Sequence, residues 1–136
     1  DRAQGKKPLL IGVTVLTSLD DAAVHEIGIA DGAAAQVKRL THLANECGLD
    51  GVVCSAEEAT LVKAGTRKRF LTVTPGIRLA GDAKGDQRRV VTPSDAIRMG
   101  ADYLVIGRSI THAADPIATL ERIQQDIANA HMERAA

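Results

Sequence analysis

Val73-Thr74-Pro75-Gly76-Ile77-Arg78 and Tyr103-Leu104-Val105-Ile106-Gly107-Arg108 are the two stretches whose reading decides the fold. Each begins as an apolar, β-branched run, the composition of a strand. The second stops at Gly-Arg, ahead of a helix start. A glycine there lets an anion approach bare backbone N–H groups, the helix terminus supplies positive potential, and the arginine adds a forked cation. Arg78 closes the preceding strand in the same way. The pattern predicts a phosphorylated ligand at the rim of a parallel sheet.

Two further strand–helix units lie upstream. Leu9 to Leu16 is continuously apolar, which predicts a strand buried on both faces. A short helical turn is expected between Asp20 and Ile29. Ala35 to Cys47 then places Val37, Leu40, Leu43, Ala44 and Cys47 on one helical face, with Gly48 as the stop. Gly51-Val52-Val53-Cys54 is the second strand; Ser55 and Glu58 make the capping box of the next helix. Downstream, Thr92-Pro93-Ser94-Asp95 starts a helix and Gly100 ends it. Asp115-Pro116 repeats the cap-plus-proline start, and Ile117, Leu120, Ile123 and Ile127 form the predicted buried stripe of the last helix.

Four βα units in series predict a parallel α/β sheet with right-handed crossovers. A complete eight-unit barrel needs roughly 250 residues, and the chain has 136. The bland alternative, a small open doubly wound sheet, is favoured by a Gly-rich turn after the first strand. Here that strand ends in Leu16-Thr17-Ser18-Leu19. Barrels commonly build phosphate sites from the loops after their last two strands plus a short extra helix, and Ser109-Ile110-Thr111-His112 is placed to be that turn. The expectation is therefore the C-terminal (βα)4 half of a TIM (β/α)8 barrel, strands five to eight, with residues 1–136 as one segment. The long connection over 79–91, rich in glycine and charge, reads as a mobile lid on the phosphate side.

Composition narrows the function. Lys+Arg and Asp+Glu both number 17, so the chain lacks the basic excess of a general nucleic-acid or membrane-surface binder. No apolar run has bilayer-spanning length, and the first residues show no signal-peptide core. Cys47 and Cys54 suit neither a metal knuckle nor a redox pair, and the four histidines are scattered, so no metal site is expected. Reduced cysteines make the cytoplasm the simplest setting. With aromatics at only 1%, the core must be built from Val, Ile, Leu and Ala.

Five motifs taken in order carry a family resemblance: Val13 to Ser18, Cys47 to Ser55, Val73 to Arg78, Gly85-Asp86-Gln87-Arg88-Arg89, and Val105 to Arg108. Through them the chain resembles the C-terminal half of bacterial orotidine 5′-monophosphate decarboxylases, from about Pro8 to about Ile127. The resemblance implies loss of carbon dioxide from orotidine monophosphate to give uridine monophosphate, with no metal or organic cofactor. It implies that Thr17 bonds the pyrimidine ring and that Pro75 walls the pocket near the substrate carboxylate. Arg78 and Gln87 flank the lid as substrate-binding residues, and Gly107 and Arg108 cradle the phosphate. The family's catalytic Asp-x-Lys-x-x-Asp motif is not in this sequence. Asp82-Ala83-Lys84-Gly85-Asp86 imitates it with a spacing one residue short, in a loop. No catalytic residue is therefore expected in this chain, which needs the N-terminal half of the barrel as partner, within a homodimer of complete barrels. The alternatives are a non-catalytic nucleotide-phosphate-binding half-barrel and a related sugar-phosphate lyase.

Overall fold

The computed structural model describes residues 5, 7–79 and 91–135. Four strands, β1 (Ile11–Val13), β2 (Gly51–Val53), β3 (Leu71–Thr74) and β4 (Tyr103–Leu104), pair in parallel in the order β1-β2-β3-β4. Six helices connect or follow them: α1 (Asp21–Glu26), α2 (Gly32–Glu46), α3 (Ala56–Ala64), α4 (Pro93–Arg98), α5 (Arg108–Thr111) and α6 (Pro116–Ala135). Sequential order with parallel pairing is what repeated βα units give when every crossover has the same hand.

The helix starts follow the local chemistry of their caps. Ser55 N–H donates to Glu58 Oε2 at 2.9 Å, closing the capping box of α3. Asp95 N–H donates to Thr92 Oγ1 at 3.3 Å with Pro93 in the first turn of α4, and Ala118 N–H donates to Asp115 Oδ1 at 3.0 Å at the head of α6. Asp21 also serves α2 across a turn, its Oδ1 accepting from Ala33 N–H at 2.8 Å. Close strand packing fixes Gly51, where a Cβ would lie 2.3 Å from the Leu71 carbonyl oxygen.

The sheet has two unlike faces. Gly12, Val52 and Thr72 share a register row, and Thr74 pairs with Leu104; these positions turn toward the helices. There Val52, Cys54, Val37, Val62 and Phe70 form one buried cluster, and Ile77, Ala96 and Ala101 with Leu104 and Ile106 form a second. A single aromatic ring, Phe70, joins the aliphatic core that composition predicts. The alternate row, Val13–Val53–Val73–Tyr103, points to the other face, with Val53 and Val73 half-buried at its centre. Its ends, Val13 and Tyr103, are 60% and 54% exposed.

This open face corrects two expectations. The first strand is not buried on both faces: it is short, lies at an edge, and leaves Leu10, Val13 and Leu16 exposed. An all-apolar strand is buried twice only when layers lie on both sides of it, and here one layer is present. For the same reason the apolar stripe of α6 is incompletely buried. Ile123 is covered, while Ile117 and Leu120 face outward, as do Leu43 and Cys47 on α2. Both helices flank an open sheet edge.

Below the sheet, at the amino ends of β3 and β4, one carboxylate organises the strand pairing. Asp102 Oδ2 accepts from Thr72 N–H at 2.8 Å and from Thr72 Oγ1 at 3.1 Å, and it pairs with the Lys63 ammonium. Lys63 Nζ also donates to the Phe70 carbonyl at 2.7 Å, which ties α3 to the same corner. An ion pair of Arg98 with Glu133 (2.8 Å) links α4 to α6. Hydrogen bonding to Glu133 and then to Asp95 holds the Arg98 guanidinium above its ordinary pKa.

Candidate functional site

Parallel pairing puts the carboxyl ends of all four strands on one rim, the side on which barrels and open α/β sheets bind ligands. Thr17 follows β1 there and is buried at 4% exposure. Pro75 follows β3 and is half-buried, with Gly76 in the left-handed region at φ 79° beside it. Positive φ suits glycine alone at that bend, so the chain turns sharply out of β3 into Ile77 and Arg78.

Arg78 is anchored by its main chain. Its N–H donates to the Val91 carbonyl at 3.1 Å, beside a parallel bridge between Ile77 and Val91. Its Nη1 donates to the Ile77 carbonyl at 3.0 Å. The two ends of the 79–91 connection thus meet at the rim. Gln87, with the rest of 80–90, lies outside the described residues, as do Arg88, Arg89 and the Asp82–Asp86 imitation motif.

After β4 the chain passes through Gly107, which stands at the N-cap of α5. Ile110 N–H (2.8 Å) and Thr111 N–H (3.1 Å) both donate to the Gly107 carbonyl, so the extra helical turn predicted around Ser109 to His112 is present. A Cβ built on Gly107 meets nothing within 4 Å. Neighbouring packing therefore does not require glycine at this position. A bare backbone at an exposed helix start suits an approaching anion. Arg108 opens the helix, at the point where its charge adds to that of the first-turn amides.

Sequence reading missed two groups. The Ser109 hydroxyl, directly after Arg108, is buried without a hydrogen-bond partner among the described residues. Its polarity beside the Gly-Arg pair was the available signal. Ser55, read only as a cap, lies at the carboxyl end of β2 with 1% exposure, on the same rim as Thr17 and Pro75.

Cys54 is no nucleophile. Burial first, then the Glu58 carboxylate, pushes its thiol up to about 12, so the thiolate is not formed near neutral pH. Among the described residues no group of three or more His, Cys, Asp or Glu side chains could hold a metal ion, and no helix is long and apolar enough to cross a membrane.

A parallel four-stranded sheet with helices, among the described residues, packed on one face, and a Gly-Arg helix start on the carboxyl rim, define half of a (β/α)8 barrel. Comparison with known proteins agrees on both the class and the fraction. Residues 1–123 match the model of the orotidine 5′-phosphate decarboxylase / HUMPS family, and the chain belongs to that family. It is 57% identical over 122 residues to the orotidine 5′-phosphate decarboxylase of Chromobacterium violaceum, covering 90% of this chain and 49% of that protein. The Coxiella burnetii enzyme is 56% identical, with 90% and 52% covered. Among solved structures, the orotidine 5′-phosphate decarboxylase of Lactobacillus acidophilus superposes with a TM-score of 0.75 at 36% identity, over 92% of this chain and 51% of that one. The chain thus spans about half the length of the relatives it matches.

Proposed function

We propose that this segment is the substrate-gripping half of an enzyme that decarboxylates orotidine monophosphate to uridine monophosphate in pyrimidine nucleotide synthesis. One observation carries the reading: a bare glycine and an arginine open α5 straight after β4, in a chain 57% identical to a named orotidine 5′-phosphate decarboxylase. Gly107 and Arg108 cradle the phosphate, Arg78 and Gln87 hold it from the 79–91 side, and that connection serves as a lid. Thr17 bonds the pyrimidine, and Pro75 walls the pocket near the departing carboxylate.

The division of labour follows from the chemistry. Loss of carbon dioxide leaves a carbanion in an sp² orbital that the ring π-system cannot delocalise. A lysine ammonium held between carboxylates stabilises that charge as it develops and then donates the proton. Those groups belong to the complementary N-terminal half, so this chain alone is inactive. The present half grips a part of the substrate that does not react. Phosphate affinity there is converted into closure, water exclusion and orientation at the ring. The completed barrel works as a cytoplasmic homodimer, without metal or organic cofactor.

The test is Arg108→Ala in the complete barrel. Loss of two charge-assisted bonds predicts a fall in kcat/KM of roughly 10²- to 10⁴-fold. An unchanged kcat/KM for orotidine monophosphate refutes the phosphate assignment.

A further inference from the structure

The stretch after β3 is held at the rim by a small set of contacts. Gly76 turns the chain out of the strand at φ 79°. Beyond that bend the Arg78 N–H donates to the Val91 carbonyl at 3.1 Å, beside the Ile77–Val91 bridge. Ile77 is fully buried and shares one apolar cluster with Val91 and with Ala96 of α4. Where Arg78 stands therefore depends on where Val91 is held.

Val91 directly precedes the N-cap of α4, and the cap fixes its neighbour from several sides. Pro93 confines Thr92 to extended backbone, observed at φ −70° and ψ 158°. Thr92 and Asp95 then bond reciprocally. Thr92 Oγ1 donates to Asp95 Oδ2 at 2.7 Å, and Asp95 N–H donates back to Thr92 Oγ1 at 3.3 Å. A capping threonine needs only its oxygen as acceptor; here its hydroxyl proton is committed as well. Arg98 Nη1 donates to the other carboxylate oxygen, Asp95 Oδ1, at 3.0 Å, and Arg98 Nε reaches Glu133 Oε2 on α6 at 2.9 Å. With both oxygens occupied, the carboxylate is oriented toward Thr92.

We infer that Asp95 is a positioning residue for the phosphate end of the substrate site: through Thr92 and Val91 it sets where Arg78 stands at the rim. The contacts run without a break, from Asp95 to Thr92, from Thr92 to its neighbour Val91, and from Val91 to Arg78. The inference rests on the reading of Arg78 as a phosphate-holding residue.

A double-mutant cycle in the complete barrel tests it. Arg78→Ala should lower kcat/KM for orotidine monophosphate by about 10²-fold. Asp95→Ala should lower it about three- to ten-fold in the parent, and by less than about two-fold once Arg78 is alanine, since the group it positions is then gone. Asp95→Asn keeps an oxygen for the Thr92 hydroxyl and should stay within about two-fold of the parent. Thermal melts establish that each variant is folded at the assay temperature. Thr92→Val breaks the same pair from its other side and runs through the same cycle where Asp95→Ala does not fold. Equal losses from Asp95→Ala with and without Arg78 overturn the proposal, because the carboxylate then acts on the fold as a whole. An Asp95→Ala enzyme as active as the parent, beside a damaged Arg78→Ala, overturns it too and leaves the phosphate reading intact. A silent Arg78→Ala removes the phosphate role of Arg78 itself, and the positioning role falls with it.

Discussion

Replacing Asp102 by alanine should loosen the β3–β4 junction. The carboxylate sits where three groups converge: the Thr72 N–H, the Thr72 hydroxyl and the Lys63 ammonium. Thr72 is fully buried, so its N–H finds no water when the oxygen is removed. An orphaned buried donor costs about 1–3 kcal/mol. The Thr72 hydroxyl keeps a second partner in the Gly100 carbonyl at 3.1 Å, and Lys63 keeps the Phe70 carbonyl, so neither is abandoned. The ion pair is about one-third exposed on both sides and adds no more than about 1 kcal/mol after screening. The sum is about 1–4 kcal/mol, a large share of the roughly 5–15 kcal/mol that holds a domain together. Asp102→Asn keeps an oxygen in place and loses only the charge, so it should cost about 1 kcal/mol. Urea unfolding at one fixed protein concentration, followed by circular dichroism, measures both. An alanine variant within about 0.5 kcal/mol of the parent refutes the reasoning. So does an asparagine variant as unstable as alanine, because charge rather than hydrogen-bond geometry would then be what matters.

Other outcomes follow from the same coordinates. Cys54 has its thiol raised from 9.0 to about 12 in the folded chain, so its contribution is complete below pH 9 and is lost as pH climbs toward 12. Stability should fall by about 1.4 kcal/mol per pH unit in that window. Cys54→Val should remove that slope in unfolding curves taken at pH 8, 9 and 10, and an undiminished slope contradicts the assignment. Gly51→Ala drives a methyl into the Leu71 carbonyl and should destabilise by about 2–4 kcal/mol or leave the chain insoluble. Thermal melts read the difference. Ser55→Ala breaks the α3 capping box and should cost about 1 kcal/mol, read in the same melts.

What the sequence disclosed was what is local. Ser55 with Glu58, Thr92 with Pro93 and Asp115 with Pro116 each write a helix start into adjacent residues, and each start lies where those residues place it. The Gly107–Arg108 helix start is legible for the same reason. Burial is not local. Leu9 to Leu16 has the composition of a strand packed on both sides, yet Val13 is 60% exposed because no layer among the described residues reaches it. The outward-facing Ile117, Leu120 and Leu43 have the same cause. Asp102 is invisible in sequence because its partners lie 30 and 39 residues away and meet only through strand pairing. The rim residues Thr17, Pro75 and Arg78 are placed by topology; the chemistry of Thr17 and Pro75 came from the family resemblance alone, whereas Arg78 was also legible as a cation at a strand end.

Tyr103 is the one tyrosine in a chain that has no tryptophan, and it stands half uncovered on the open β4 edge. Ultraviolet emission from this 136-residue segment therefore arises almost wholly from one ring on the β4 edge. Quenching by iodide would follow the covering of that edge in real time, with no dye attached and no residue changed.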